Sequence, residues 1–133
     1  MKYKIIDPSR VINEGTAEMV VVKTIDGEMG FMEKHIPTVA PLGFGEARIH
    51  TEKGILKFFI DGGYIQTNGE EVIILARKGL AIDEIDINKA NEEIEKIEKE
   101  IKLTDDVLKT LELKNRITAL KTLIKVGEDN GKH

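Results

Sequence analysis

The residues whose types could do chemistry are three histidines, a short run of acids and a series of basic residues near the C-terminal end. His35 stands two residues before Pro37, and His50 lies in an alternating stretch, so either could serve as a base or a ligand; His133 is on the polar tail. A lone histidine without a carboxylate or a second ligand at fixed spacing is more often structural or solvated. Asp83, Glu84 and Asp86 could gather a cation. Acids there also suit the positive end of a helix, and capping is the simpler reading. The sequence has no cysteine, no phosphate-cradling glycine loop, no Gly-x-Ser-x-Gly elbow and no His-x-x-x-His pair. No catalytic, metal or cofactor constellation is therefore expected. A small hydrolase or metal enzyme built on His35, His50 and the Asp83–Asp86 acids lacks both a nucleophile and ligand spacing.

The elements that hold these residues divide near residue 80. Residues 1–80 contain ten of the twelve glycines, all three prolines and all six aromatics. The 47 residues from Leu80 to Val126 contain none of these types. Glycine and proline punctuate turns, and their absence over a long charged stretch permits helix. The composition predicts an α+β chain in two domains, an antiparallel β-sandwich over 1–82 and an α-helical hairpin over 83–133. Apolar residues make up 41%, enough for a core. The net charge of −4 argues against a nucleic-acid partner. There is no apolar run of about 18 residues to span a membrane.

Strands are predicted at Lys2 to Ile6, Ala17 to Thr24, Gly45 to Thr51, Ile55 to Ile60, Tyr64 to Thr67 and Glu71 to Ala76. Turns are predicted at Asp26-Gly27, Glu52-Lys53-Gly54, Asp61-Gly62-Gly63 and Asn68-Gly69. In the second part Ile87, Ala90, Ile94, Ile97 and Ile101 repeat at 3,4,3,4, a narrow helical seam. Thr104 or Asp105 is expected to cap a second helix with Leu113, Ile117, Leu120 and Ile124 on one face. Val107, Leu108 and Leu111 fall on another face, so that helix has a second surface to cover. The tail from Gly127 to His133 is expected to fray.

Several short motifs occur in a fixed order. Gly27-Glu28-Met29-Gly30 is followed by His35-Ile36-Pro37-Thr38-Val39-Ala40-Pro41-Leu42. Asp61-Gly62-Gly63-Tyr64-Ile65, Val72-Ile73-Ile74-Leu75-Ala76 and Glu84-Ile85-Asp86 come after it. In this order the chain resembles the epsilon subunit family of F-type ATP synthases over nearly its whole length. Asp61-Gly62-Gly63-Tyr64-Ile65 is similar to that family's Ser-Gly-Gly turn, and Val72-Ile73-Ile74-Leu75-Ala76 to its Val-Thr-Val-Leu-Ala strand. The family's Leu-Pro-Gly before the histidine is replaced by Met32-Glu33-Lys34. Some bacterial members bind ATP through (Ile/Leu)-Asp-x-x-Arg-Ala. Here Ile85, Asp86, Lys89 and Ala90 occupy those positions, with lysine for arginine, a point donor in place of a planar fork.

The resemblance implies a non-catalytic part of the central stalk, or rotor, which couples ion-driven rotation to ATP synthesis and inhibits ATP hydrolysis. The sandwich would bind the gamma subunit and the c-ring, with Gly27, Glu28, Met29 and Gly30 as the c-ring-facing loop. His35, Pro37, Gly62 and Gly63 would be structural loop and turn residues. The helical hairpin would reach the alpha/beta catalytic head through Lys109, Lys114, Arg116, Lys121 and Lys125. ATP binding would be weak at most. The location implied is peripheral, on the cytoplasmic face of the cell membrane. An unrelated adaptor with a sandwich and a hairpin would account for the composition equally well, but not for the ordered motifs.

Overall fold

Threonines set three of the turns on which the strands reverse. In a computed structural model, which describes residues 1–131, Thr24 Oγ1 accepts from the Asp26 N–H at 3.2 Å and donates to the Gly27 carbonyl at 2.7 Å. Thr51 repeats the clamp with Lys53 and Gly54, at 3.3 and 2.8 Å. Thr67 does so with Gly69 and Glu71, at 3.1 and 3.0 Å. Each hydroxyl supplies a donor and an acceptor that the reversing backbone lacks.

The strands number eight: β1 (Lys2–Asp7), β2 (Arg10–Thr16), β3 (Met19–Thr24), β4 (Gly27–Met32), β5 (Thr38–Pro41), β6 (Phe44–Thr51), β7 (Gly54–Thr67) and β8 (Glu71–Ala81), and the threonine turns join β3 to β4, β6 to β7 and β7 to β8. The pairing order is β2-β1-β8-β7-β6-β3-β4, with β5 also on β7. All pairs are antiparallel except β1 with β8, which is parallel and departs from the purely antiparallel expectation. Residues of alternate parity fill one core, led by Phe31, Ile5, Ile49, Ile65, Ile74, Val20 and Val22. The expected sandwich is thereby present. The strand β2 carries few apolar residues and was not anticipated.

The expected turn at Asp61-Gly62-Gly63 is not a reversal. It is a kink inside the fourteen-residue β7. Before it β7 pairs with β6, and after it with β5. The Gly62 N–H donates to the Gly43 carbonyl at 3.1 Å, and the Leu42 N–H to the Gly63 carbonyl at 2.9 Å, so the ladder continues through the bend. Ile60 and Ile65 both enter the core although they are five residues apart, a slip of one residue against a strict period of two. On β8 the same slip puts Arg77 and Lys78 consecutively outside, between core-facing Ala76 and Gly79. Gly62 and Gly63 have φ of 73° and 105°. Only glycine adopts such angles without strain.

The chain separates into two compact units, Met1–Asp83 and a second that starts at Glu84. In the second, α1 (Ile87–Leu103) and α2 (Val107–Asp129) form an antiparallel hairpin. Ile87, Ala90, Ile94 and Ile97 are buried as the seam predicts. Facing them are Ala119, Leu120, Leu123, Val126 and Gly127. Leu123 rather than Ile124 completes the α2 stripe, because the seam follows 3.6 residues per turn and not a heptad. The cap of α2 is Asp106, not Thr104 or Asp105; its carboxylate accepts from the Leu108 and Lys109 N–H groups at 2.9 and 3.3 Å. Gly127 does not begin a frayed tail but is buried in α2. A Cβ there would lie 3.0 Å from Ile85 Cγ2, so the missing side chain is what lets α2 approach. Lys132 and His133, the rest of that expected tail, lie outside the described residues.

Replacing Gly63 by alanine puts a Cβ 2.0 Å from the Leu75 carbonyl oxygen, in the backbone of β8. The substitution is expected to cost more than about 3 kcal/mol, from backbone strain together with a lost ladder. Gly54→Ala, also at positive φ but with open space around it, is expected to cost about 1 kcal/mol. Urea unfolding of the two variants checks the difference; equal midpoints would dismiss the kink as a constraint.

Candidate functional site

One outward face of the sandwich is apolar where a solvated sheet face is usually polar. Cross-strand register aligns Pro41, Tyr64, Leu75, Ile6 and Val11 into one row across β5, β7, β8, β1 and β2. Val11, Tyr64 and Leu75 are 52%, 55% and 38% exposed. The adjacent row begins with exposed Val39 and passes Gln66 and Ile73 to Lys4, which pairs with Glu14 at 3.7 Å. A contiguous exposed apolar patch of this kind marks an interaction surface. Arg77 lies beside the first row, two residues beyond Leu75. Its Nη2 donates to Asp61 Oδ1 at 2.6 Å, although Asp61 is buried and the Arg77 side chain is mostly exposed.

The four residues Gly27, Glu28, Met29 and Gly30 do not form a loop. They are the first four residues of β4, and the exposed turn is Ile25-Asp26. Glu28 lies opposite Lys23, and Arg48 of β6 lies opposite Val21 of the intervening β3. The Arg48 guanidinium therefore reaches across β3. It donates to both Glu28 oxygens, Nη1 to Oε2 at 3.0 Å and Nη2 to Oε1 at 3.2 Å. Those hydrogen bonds first, and then the charges of Arg48 and Lys23, hold the Glu28 carboxyl below the usual range against the opposing effect of desolvation. Glu28 is exposed, as its position predicts, yet it is not free.

His35 is half-buried, with its ring 4.7 Å from that of Phe31 and its Nδ1 donating to the Ile36 carbonyl at 2.8 Å. The loop before Pro37 docks on the β7–β8 turn, where the Lys34 N–H, at φ 68°, donates to the Gly69 carbonyl at 2.8 Å. The residues that follow Pro37 form β5 rather than more loop. Asp86 is the N-cap of α1, its Oδ1 accepting from the Lys89 N–H at 3.0 Å. Ile85 and Ala90 are buried and Lys89 is exposed, so the four residues of the nucleotide-like motif do not converge on a cleft. Asp83 and Glu84 lie in a short 3₁₀ turn. No group of three or more metal-ligating side chains occurs among the described residues.

The five basic residues of α2 are not one patch. Lys114, Lys121 and Lys125 share an outward face by the helical period. Arg116 turns toward α1 and donates to Glu93 at 3.3 Å. Lys109 sits at the start of the helix, among exposed Val107, Leu108 and Leu111.

The sequence model described as "ATP synthase, Delta/Epsilon chain, beta-sandwich domain" matches residues 1–82. The sodium-ion-specific ATP synthase epsilon chain of Propionigenium modestum is 37% identical over 107 residues, covering 79% of this chain and 77% of its own length. The chain belongs to the epsilon-chain family of ATP synthases. The epsilon chain of Exiguobacterium sp. is 34% identical over 121 residues, 90% of this chain and 88% of that one, so the likeness runs into the helices. The fold of this epsilon chain is shared with a chain of the Euglena gracilis mitochondrial ATP synthase, from a structure of OSCP, F1 and c-ring. The TM-score there is 0.76 at 21% identity, over 91% of this chain and 77% of that one. A chain of the Tetrahymena thermophila mitochondrial central stalk and c-ring structure gives 0.68 at 14%, with 95% of each covered. No helix of the epsilon chain among the described residues is long and apolar enough to cross a membrane.

Arg48, Asp61 and Arg77 are site residues that the sequence reading passed over. Arg48 was visible only as a polar position on β6, since its partner lies two strands away. Because the Glu28 carboxyl is held low in the folded state, the pair stabilises the sandwich at pH above the ordinary glutamate value of about 4.3. That contribution is lost as pH falls through the lowered folded value. At this exposed site a Glu28→Gln and Arg48→Met double-mutant cycle is expected to give about 0.2–1 kcal/mol of coupling at neutral pH, and less in acid. Coupling that stays constant from pH 7 to pH 3 would contradict the ion pair.

Proposed function

We propose that this epsilon chain is a non-catalytic rotor part whose sandwich is held to the gamma subunit and the c-ring, while its hairpin is the arm that restrains ATP hydrolysis. The apolar row from Pro41 to Val11 carries the reading, because it offers one broad dehydrating surface to a permanent partner. That partner is gamma. The β3–β4 turn, with exposed Ile25 and the Glu28–Arg48 pair behind it, is the c-ring-facing element. His35, Pro37, Gly62 and Gly63 shape the sandwich and do no chemistry. On this reading the chain is a peripheral subunit at the membrane surface, on the cytoplasmic face of the cell membrane.

The hairpin reading rests on exposed apolar groups at its tip and on its outward lysines. Leu103, Val107 and Leu108 are 88%, 80% and 73% exposed where α1 gives way to α2. Lys114, Lys121 and Lys125 face outward and suit acidic surfaces of the alpha/beta catalytic head, whereas Arg116 already serves Glu93. Nucleotide is a weak ligand at most: the Asp86 carboxylate is engaged by its own helix and Lys89 replaces a planar fork.

Truncation before Glu84 is expected to leave a folded sandwich that binds gamma and to raise ATP hydrolysis by the reassembled complex. Alanine at Lys114, Lys121 and Lys125 together is expected to give much of that rise, and Arg116→Ala little, since exposed pairs act only in number. Steady-state ATPase at fixed salt reads both; unchanged hydrolysis after truncation would remove the inhibitory arm. ATP added to the intact epsilon chain is expected to shift amide resonances of α1 only in the millimolar range, and a low-micromolar dissociation constant would overturn the nucleotide reading.

A further inference from the structure

We infer that Arg77 is the polar anchor of the docking face: it takes a carboxylate on the partner surface that covers the apolar row, and Asp61 holds it in place for that contact. The inference rests on the reading of the row as the gamma-docking face. Asp61 is 3% exposed, a buried carboxylate at the kink of β7. Such a group is costly to bury for stability alone. Its guanidinium partner is not buried with it. The Arg77 side chain remains 66% exposed, fixed through one Nη2 contact. Arginine presents five N–H donors in a planar fork, so one edge held from below leaves another edge open to a second carboxylate.

The position of the fork is set by the backbone. A Cβ on Gly62 would lie 3.4 Å from Arg77 Cζ and Nη2, so the guanidinium rests over the bare glycine. Asp61 follows core-facing Ile60 and Arg77 follows core-facing Ala76, so plain alternation puts both on the other side of the sheet, where they meet beside the kink. Arg77 also shares an open cleft with Arg10 and Lys78. The acid in that cleft, Asp7, is engaged by its own turn, where it accepts from the Ser9 and Arg10 N–H groups at 2.9 and 3.1 Å. Arg10, Arg77 and Lys78 against Asp7 and Asp61 leave the corner a small positive excess beside an apolar strip. Its complement is an apolar patch with an Asp or Glu at the matching edge. A carboxylate met by a preformed, partly desolvated arginine fixes register and slows dissociation.

The test uses the intact epsilon chain and the gamma subunit, with association and dissociation rates followed by surface-immobilised binding. Asp61→Ser and the double variant Asp61→Ser with Arg77→Ala leave no unpaired buried charge, and melting curves confirm their folding. The double variant is expected to dissociate from gamma about tenfold faster than the wild type. Asp61→Ser alone is expected to lie between, because its arginine is present but no longer held. A double variant that dissociates at the wild-type rate, while Leu75→Asp abolishes binding, overturns the role of Arg77 and keeps the docking face. If Leu75→Asp also binds gamma like the wild type, the docking-face reading itself fails. If Asp61→Ser alone dissociates at the wild-type rate and the double variant does not, Asp61 is not the positioning residue.

Discussion

Two adjacent glycines let a single strand serve two parts of the sheet, and the rest of the sandwich is arranged around that bend. At Gly62 and Gly63 the partner of β7 changes from β6 to β5 while the hydrogen-bond ladder continues through Gly43 and Leu42. The bend needs positive φ at both residues, and at Gly63 it also needs the absence of a Cβ, because β8 passes too close. Strands that change layers through a local bend are a known way to form the corners of a sandwich. Here the bend also shifts the side-chain phase. Residues after it fill the core with Ile65 and Ile74, while Asp61, buried beside the bend, pairs with the exposed Arg77 of β8. The bare Gly62 of the bend also lies against the Arg77 guanidinium.

The same geometry explains why this domain can be stable and still carry an interaction face. Its interior is filled by one parity of β-branched and aromatic residues, with Ile5, Ile49, Val20 and Phe31 fully buried. The opposite parity on β5, β7, β8, β1 and β2 is then available for something other than stability, and it is apolar in a row. Charges on the outer surface are held by geometry rather than by burial. Arg48 spans a strand to Glu28, and Arg77 is tied from below by Asp61. In the helical unit the division is similar: an isoleucine and alanine seam on α1 meets Ala119, Leu120, Leu123, Val126 and Gly127 on α2, while Leu103, Val107 and Leu108 remain outside.

Much of this was legible in the residue order. The break near residue 80 follows from where glycine, proline and aromatics stop, and the α1 seam from a 3,4 spacing that only a helix brings to one side. The turns at Thr24-Ile25-Asp26-Gly27 and Thr51-Glu52-Lys53-Gly54 were readable because glycine marks the reversal; the threonine clamp two or three residues earlier is a signal of equal strength that went unread. The Asp61-Gly62-Gly63 stretch misled for a physical reason. Positive φ is needed both to reverse a chain and to bend one, and the sequence of a turn does not say which. The cap of α2 was missed by one or two positions, since Thr104, Asp105 and Asp106 are all competent capping residues and packing of α2 on α1 selects among them.

Local chemistry alone determined the division into a strand part and a helix part, the one-sided cores and the residue types at hand, because these depend on composition and period within a few residues. Pairings between distant segments were decided only by the tertiary structure. Glu28 and Arg48 are twenty residues apart, and Asp61 and Arg77 sixteen. Whether such groups meet depends on strand order and register, which no window of sequence contains. The apolar row is of the same kind. Pro41, Tyr64, Leu75, Ile6 and Val11 are single, unremarkable positions along the chain, exposed except for half-buried Ile6. They become a surface because five strands, one of them parallel to its neighbour, bring them side by side.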